Sequence, residues 1–210
     1  MRAQWAPTFM HSSVRSERPI LNNPYAPPAA PLETAEPSGY LAVSKRKLTI
    51  MLIGTWCLYA AYWSYRQWKA YAKSTGGSQW AWARGFIWWV FAYNLFGKLD
   101  TELRARGETL NWSHRARGLI LLAMGIGSGL FSALGPIYSL WPSLLLLLVA
   151  VYTLRGTLPA LNRLANDPKG DSNSRLTWAN WIWLLVGGFF WGLAGIGAWL
   201  IKAFPERYIL

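Results

Sequence analysis

Asp100, Glu102 and His114 are the residues whose types first invite chemistry, because two carboxylates and an imidazole so near in sequence can form an acid-base set. A catalytic reading of His114 also needs a nucleophile and an orienting carboxylate converging on it. Flanked by Arg115 and Arg117, it reads as a solvated loop histidine. Asp167 and Asp171 with Ser172 and Asn173 offer oxygen ligands, but the run lacks the length and terminal glutamate of a calcium loop and reads as a polar turn. Cys57 is the single cysteine, which excludes an intramolecular disulfide and a Cys-rich metal site. Gly125, Gly127 and Gly129 follow no strand and miss the third interval of a dinucleotide loop. Asn111, Trp112 and Ser113 match a glycosylation acceptor, which matters only in a secretory pathway. No catalytic residue, cofactor or metal ligand is expected, and the chain is expected not to be an enzyme.

The rest of the composition explains why polar chemistry is so sparse. Of 210 residues, 53% are hydrophobic and only 14% charged, too apolar for an ordinary soluble domain. The net charge of +12 fits basic loops retained beside a bilayer, so no nucleic-acid partner is invoked. Neither histidine and none of the nine acidic residues falls within residues 48–65, 119–134, 137–154 or 181–201. Proton relays at bilayer depth therefore lack their parts, which disfavours proton-coupled transport and intramembrane acid-base catalysis.

These runs define the expected fold: all-α, a polytopic helical membrane protein with about five hydrophobic segments, four clear spans and one ambiguous. Residues 1–44 hold seven of the twelve prolines and read as a disordered tail, 45–204 as the helical transmembrane domain, and 205–210 as a short C-terminal tail. Residues 48–65 carry no charge and read as the first span. The run at 80–97 is interrupted by Arg84, and reads either as a span or as a re-entrant helix. Residues 98–117 read as a polar loop with five basic residues. The uncharged run 118–154 is about 55 Å as one helix, too long for one crossing, and Gly135 and Pro136 split it into a hairpin. Trp141 and Pro142 suit an interfacial first turn of its second arm. Residues 155–180 read as another polar loop, and 181–201 as the last span, with Trp178, Trp181 and Trp183 at one end and Trp199 at the other.

With five spans and a cytoplasmic N-terminus, the inner side collects twelve Lys and Arg and the outer side six, a bias of the right sign. A re-entrant 80–97 also gives a positive inner side, so the triplet Lys45, Arg46, Lys47 before the first span decides for five. Beyond that span, Arg66, Lys69 and Lys73 recur at helical spacing beside Tyr65, Trp68 and Tyr71, a stripe suited to the headgroup zone and to contact with anionic lipid. Gly125 with Gly129, Ser128 with Ser132, and Gly188 with Gly192 lie four apart and are expected to let helices approach closely, within the chain or between copies.

The chain resembles a family of small, uncharacterised bacterial inner-membrane proteins that carry a domain of unknown function. Leu58, Tyr59, Tyr62, Trp63, Tyr65, Arg66, Trp68 and Lys69 look like its aromatic and basic signature, and Tyr93, Asn94, Leu95 and Phe96 like its second motif. Asn173, Ser174 and Arg175 also fit, and the likeness extends over residues 45–203. The resemblance implies a bacterial inner membrane and no activity.

Three function classes follow. The first is an interaction or accessory component of the bacterial envelope, with membrane lipids and another membrane protein or itself as partners. The alternative is a small passive or lipid-handling transporter, with Thr55, Asn94, Ser128, Ser132, Ser139 and Thr153 lining a path free of ionisable groups. A lipid-modifying enzyme at Asp100, Glu102 and His114 is the weakest.

Overall fold

The computed structural model describes residues 39–77, 80–133 and 136–204, with side chains from residue 140 onward in the last stretch. The expected tail up to residue 38, the C-terminal tail 205–210, the Ser139 side chain and the hairpin turn at Gly135 lie outside the described residues. Among those described, the chain folds as seven α-helices and one 3-10 turn, without strands. These are α1 (Lys45–Gly54), α2 (Leu58–Thr75), α3 (Ala81–Phe86), α4 (Trp88–Ala105), α5 (His114–Ala133), α6 (Pro136–Leu164), the turn Asp171–Asn173 and α7 (Trp178–Ala203). Three stretches, His114–Ala133, Leu140–Leu164 and Trp178–Ala203, are long and apolar enough to cross a membrane.

The run 48–65, expected as one further span, is divided. α1 ends at Gly54, and the Cys57 N–H donates to Leu52 O and the Trp56 N–H to Ile53 O, the paired bonds of a Schellman ending. That ending places Trp56 and Cys57 at φ 51° and 62°, where glycine is the usual occupant. Thr55 repairs the polar cost. Its buried hydroxyl donates to Met51 O and accepts from the Tyr59 N–H, joining the last turn of α1 to the first of α2. α7 lies across this break: Trp191 Nε1 donates to Ile53 O at 2.9 Å, Trp191 packs on Trp56 with ring centroids 4.4 Å apart, and a Cβ on Gly187 would strike the Gly54 carbonyl.

Two expected loops are partly helix. α4 continues through residues 98–105 because its buried face runs on without pause, as Ala92, Leu95, Phe96, Leu99 and Leu103. α6 continues to Leu164 for the same reason, burying Leu154, Leu158, Leu161 and Leu164 at spacings of three and four. Pro142 and Pro159 consequently sit inside α6, not in a first turn. The run 80–97 is also divided, at Ile87, between α3 and α4. α6 packs against α1, α4, α5 and α7, and α4 against α2, α3, α5 and α6.

Residues 40–44, expected as the end of the tail, are an extended strap held by side-chain amides. Gln67 accepts from the Leu41 N–H and donates to Leu41 O, and Asn162 does the same for Val43. Asn173 donates to Ala42 O. Tyr40 and Val43 are buried to 1% exposure, so apolar burial and the paired backbone groups of Leu41 and Val43 order this segment together.

Candidate functional site

A polar cleft of about 1040 Å³ opens between α2, α3, α4 and the first turn of α5. Trp68 and Tyr71 come from α2, Arg84 from α3, and Asn94, Lys98, Asp100, Thr101, Glu102 and Arg104 from α4, while α5 begins with His114 and Arg115. Ser113 caps α5 by accepting from the Ala116 N–H, which fixes its basic first turn at the mouth of an apolar helix. Glycine sets the wall, because a Cβ on Gly118 would meet the backbone of Tyr93, and one on Gly85 the backbone of Tyr65.

Two of the cations in the cleft, Arg84 and Lys98, rest on aromatic faces. The Arg84 guanidinium lies 4.2 Å from the Trp68 ring centroid and 5.6 Å from that of Phe91. Lys98 Nζ lies 4.6 Å from the Tyr71 ring and donates to its hydroxyl at 2.9 Å. Both carboxylates are engaged. Asp100 Oδ2 accepts from Arg104 Nε at 2.8 Å and lies 3.3 Å from His114 Nδ1. Burial would raise the Asp100 pKa, but the Arg104 hydrogen bond and the neighbouring His114 and Arg104 charges outweigh it and hold the carboxyl below its ordinary value. Glu102 accepts from the Tyr40 hydroxyl at 2.9 Å. Four permanent cations, Arg84, Lys98, Arg104 and Arg115, therefore share the cleft with two carboxylates already bonded to donors.

The structure thus gives His114 the carboxylate that sequence spacing left open. The neighbouring hydroxyls have other uses: Thr101 donates to Gly97 O, and Ser113 caps α5. Surplus positive charge on aromatic platforms suits anion recognition more than nucleophilic chemistry.

The expected stripe on α2 is split by the fold. Arg66, Lys69 and Lys73 are exposed; Arg66 donates to the Tyr62 hydroxyl and Lys69 Nζ lies 5.7 Å from the Tyr65 ring. Trp68 is fully buried, and Tyr71 is half-buried against Lys98. Their aromatic rings face the bundle and the cleft, leaving Tyr65 beside the exposed cations. The sequence reading missed Lys98, Arg104 and Arg115 because it treated 98–117 as loop, and took Arg84 only as an interruption of the run 80–97. Read as helix, Asn94, Gly97, Lys98, Thr101 and Arg104 form one polar stripe at spacings of three and four.

The small residues divide likewise. A Cβ on Gly125 would strike the Trp89 ring, so α4 and α5 approach closely there. At Gly129, Gly188 and Gly192 it would meet nothing within 4 Å. Ser132 donates to Ser128 O within its own helix. The residues expected to line a path are also dispersed: Asn94 lines the polar cleft, Ser128 a separate apolar cavity of about 310 Å³, and Thr55 and Thr153 are buried.

Near the strap, Asp167 closes the loop between α6 and α7. Its carboxylate accepts from the N–H groups of Gly170, Asp171 and Ser172 and from the Ser172 hydroxyl, and these bonds hold its pKa below the ordinary carboxylate range. That loop presents Asn173, which accepts from the buried Lys47 Nζ at 2.7 Å, while Arg175 O accepts at 2.8 Å. Burial lowers the Lys47 pKa.

Compared with protein-family models, curated proteins and solved structures, the chain gives no match in any of the three.

Proposed function

We propose that this chain is a non-enzymatic integral membrane protein of the bacterial inner membrane, with a cytoplasmic N-terminus, acting as an interaction or accessory component of the envelope. The observation that carries this reading is α7. Only 6% of its apolar window is buried within the chain, and Leu185, Phe189, Leu193, Ile196 and Trp199 are all exposed. With Gly188, Gly192 and Gly195 open on the same helix, this surface suits lipid and close approach by another membrane helix. The resemblance at Tyr62, Trp63, Arg66 and Asn173 agrees with the membrane assignment.

Co-purification of the full chain in mild detergent tests the proposal: a stoichiometric membrane partner, or a stable homo-oligomer, is expected. The alternative, passive or lipid-handling transport, predicts solute or lipid flux in proteoliposomes containing only this chain. Dispersal of Thr55, Asn94, Ser128 and Thr153 among separate environments favours the first reading.

A further inference from the structure

We propose that the cleft between α2, α3, α4 and α5 is a binding site for a phosphate-bearing ligand, with the phosphate held among Arg84, Lys98 and Arg115. The inference rests on the membrane reading and deepens it by naming a ligand class for a site on the bundle.

Three observations converge. First, positive charge is in excess: four permanent cations line one cavity with two carboxylates, Asp100 taking up Arg104 and Glu102 accepting from the neutral Tyr40 hydroxyl. Second, two of the three cations are positioned, while Arg115 is exposed. Arg84 is held over Trp68, and Lys98 is fixed over Tyr71 by a hydrogen bond to its hydroxyl, so less side-chain freedom is lost on binding than for lysines free in solvent. Third, the depth is right. Arg115 belongs to the first turn of an apolar helix long enough to cross a membrane, which puts the cleft where that helix leaves the hydrocarbon. A phosphate there gains from the N-terminal end of α5 as well as from the side chains. About 1040 Å³ accommodates a phospholipid headgroup, and also a small soluble phosphate.

The shared chemistry is the phosphate group, and the experiment separates its two sources. The full chain is reconstituted in phosphatidylcholine nanodiscs and titrated calorimetrically with inorganic phosphate and with glycerol 3-phosphate. In parallel, native mass spectrometry measures retention of phosphatidylglycerol against phosphatidylcholine. Lys98→Gln combined with Arg115→Gln is expected to lower phosphate affinity or phosphatidylglycerol retention by roughly tenfold or more, and Lys98→Arg with Arg115→Lys to restore most of it. The control is Arg66→Gln, Lys69→Gln and Lys73→Gln on the exposed side of α2, which is expected to change retention little. Selective phosphatidylglycerol retention without phosphate binding assigns the site to lipid; phosphate binding without lipid preference assigns it to a soluble ligand. The proposal is overturned if neither is bound. It is equally overturned if the α2 triple variant abolishes the preference while the cleft variant keeps it. A protein partner co-purifying equally with wild type and cleft variant in that case would leave the accessory reading standing.

Discussion

Val43 and Asn162 exchange two hydrogen bonds across 119 positions of sequence, the Val43 N–H donating at 3.1 Å and the Asn162 side-chain amide donating back to Val43 O at 3.0 Å. Asn162 is 2% exposed and Val43 1%, so water does not compete for either backbone group. One amide thus treats an extended residue as a neighbouring strand would, and Gln67 repeats the arrangement at Leu41. Removal should therefore cost more than one ordinary hydrogen bond.

Asn162→Leu leaves a buried donor and a buried acceptor without partners. We expect a loss of about 2 to 4 kcal/mol, read as a lower melting temperature of the detergent-solubilised chain, and earlier proteolysis near residues 40–44. Asn162→Gln, with its longer reach, should recover only part. Melting of Asn162→Leu at the wild-type temperature would mean that the strap contributes nothing to stability.

Adjacent glycines on α7 should behave oppositely. Gly187→Ala drives a methyl group into the Gly54 carbonyl of α1 and is expected to destabilise by about 1 to 3 kcal/mol. Gly188→Ala meets open space and should be neutral, or stabilising by up to about 1 kcal/mol through helix propensity. Paired thermal melts in one detergent decide it.

The hydroxyl of Thr55 is the only change between Thr55 and an isosteric valine, and it serves both sides of the break. Thr55→Val should cost about 1 to 3 kcal/mol by orphaning the Tyr59 N–H, with Thr55→Ser close to wild type. Equal melting of the two variants would show that the break does not depend on this bridge.

Asp167 supplies a pH dependence whose sign is set by its lowered pKa. A carboxyl depressed in the folded state stabilises fully above its unfolded value and loses that contribution as pH falls through the folded one. Stability should therefore fall progressively below about pH 4, and Asp167→Asn should be less stable at neutral pH with a flatter acid profile. Superimposable pH profiles for wild type and variant would refute the assignment.

Topology is accessible to reporter fusions after Gly77 and after Gly107. If the divided runs 48–65 and 80–97 each cross the bilayer, the first site reads periplasmic and the second cytoplasmic. Identical readings would make 80–97 re-entrant.

Hydropathy alone placed the three helices long and apolar enough to cross a membrane, α5, the apolar arm of α6 and α7, close to their observed positions. It failed where charge and helical period disagreed. Lys98, Asp100 and Arg104 look like loop residues by composition, yet Leu95, Leu99 and Leu103 carry the helix through them on the opposite face. The break at Thr55 was hidden for a different reason. Neither Trp56 nor Cys57 signals a left-handed backbone, and the partner that stabilises it, Trp191, lies far along the chain. The cleft stayed illegible because its cations come from three helices whose lengths the sequence misjudged.

The bond from Trp191 Nε1 to Ile53 O joins residues 138 positions apart, and it also dictates an order of events during synthesis. While the ribosome is still making the middle of the chain, the Ile53 carbonyl has only the local Trp56 N–H as donor and the cradle around Gly54 has no occupant. The first hydrophobic segment must wait in an incomplete state until the last helix emerges and lies across it. Contacts of such long sequence separation form late, because the intervening loop must be closed before they are rewarded. A chain truncated before α7 would therefore be exposed to quality-control proteolysis at its beginning, at Trp56 and Cys57, rather than at its cut end.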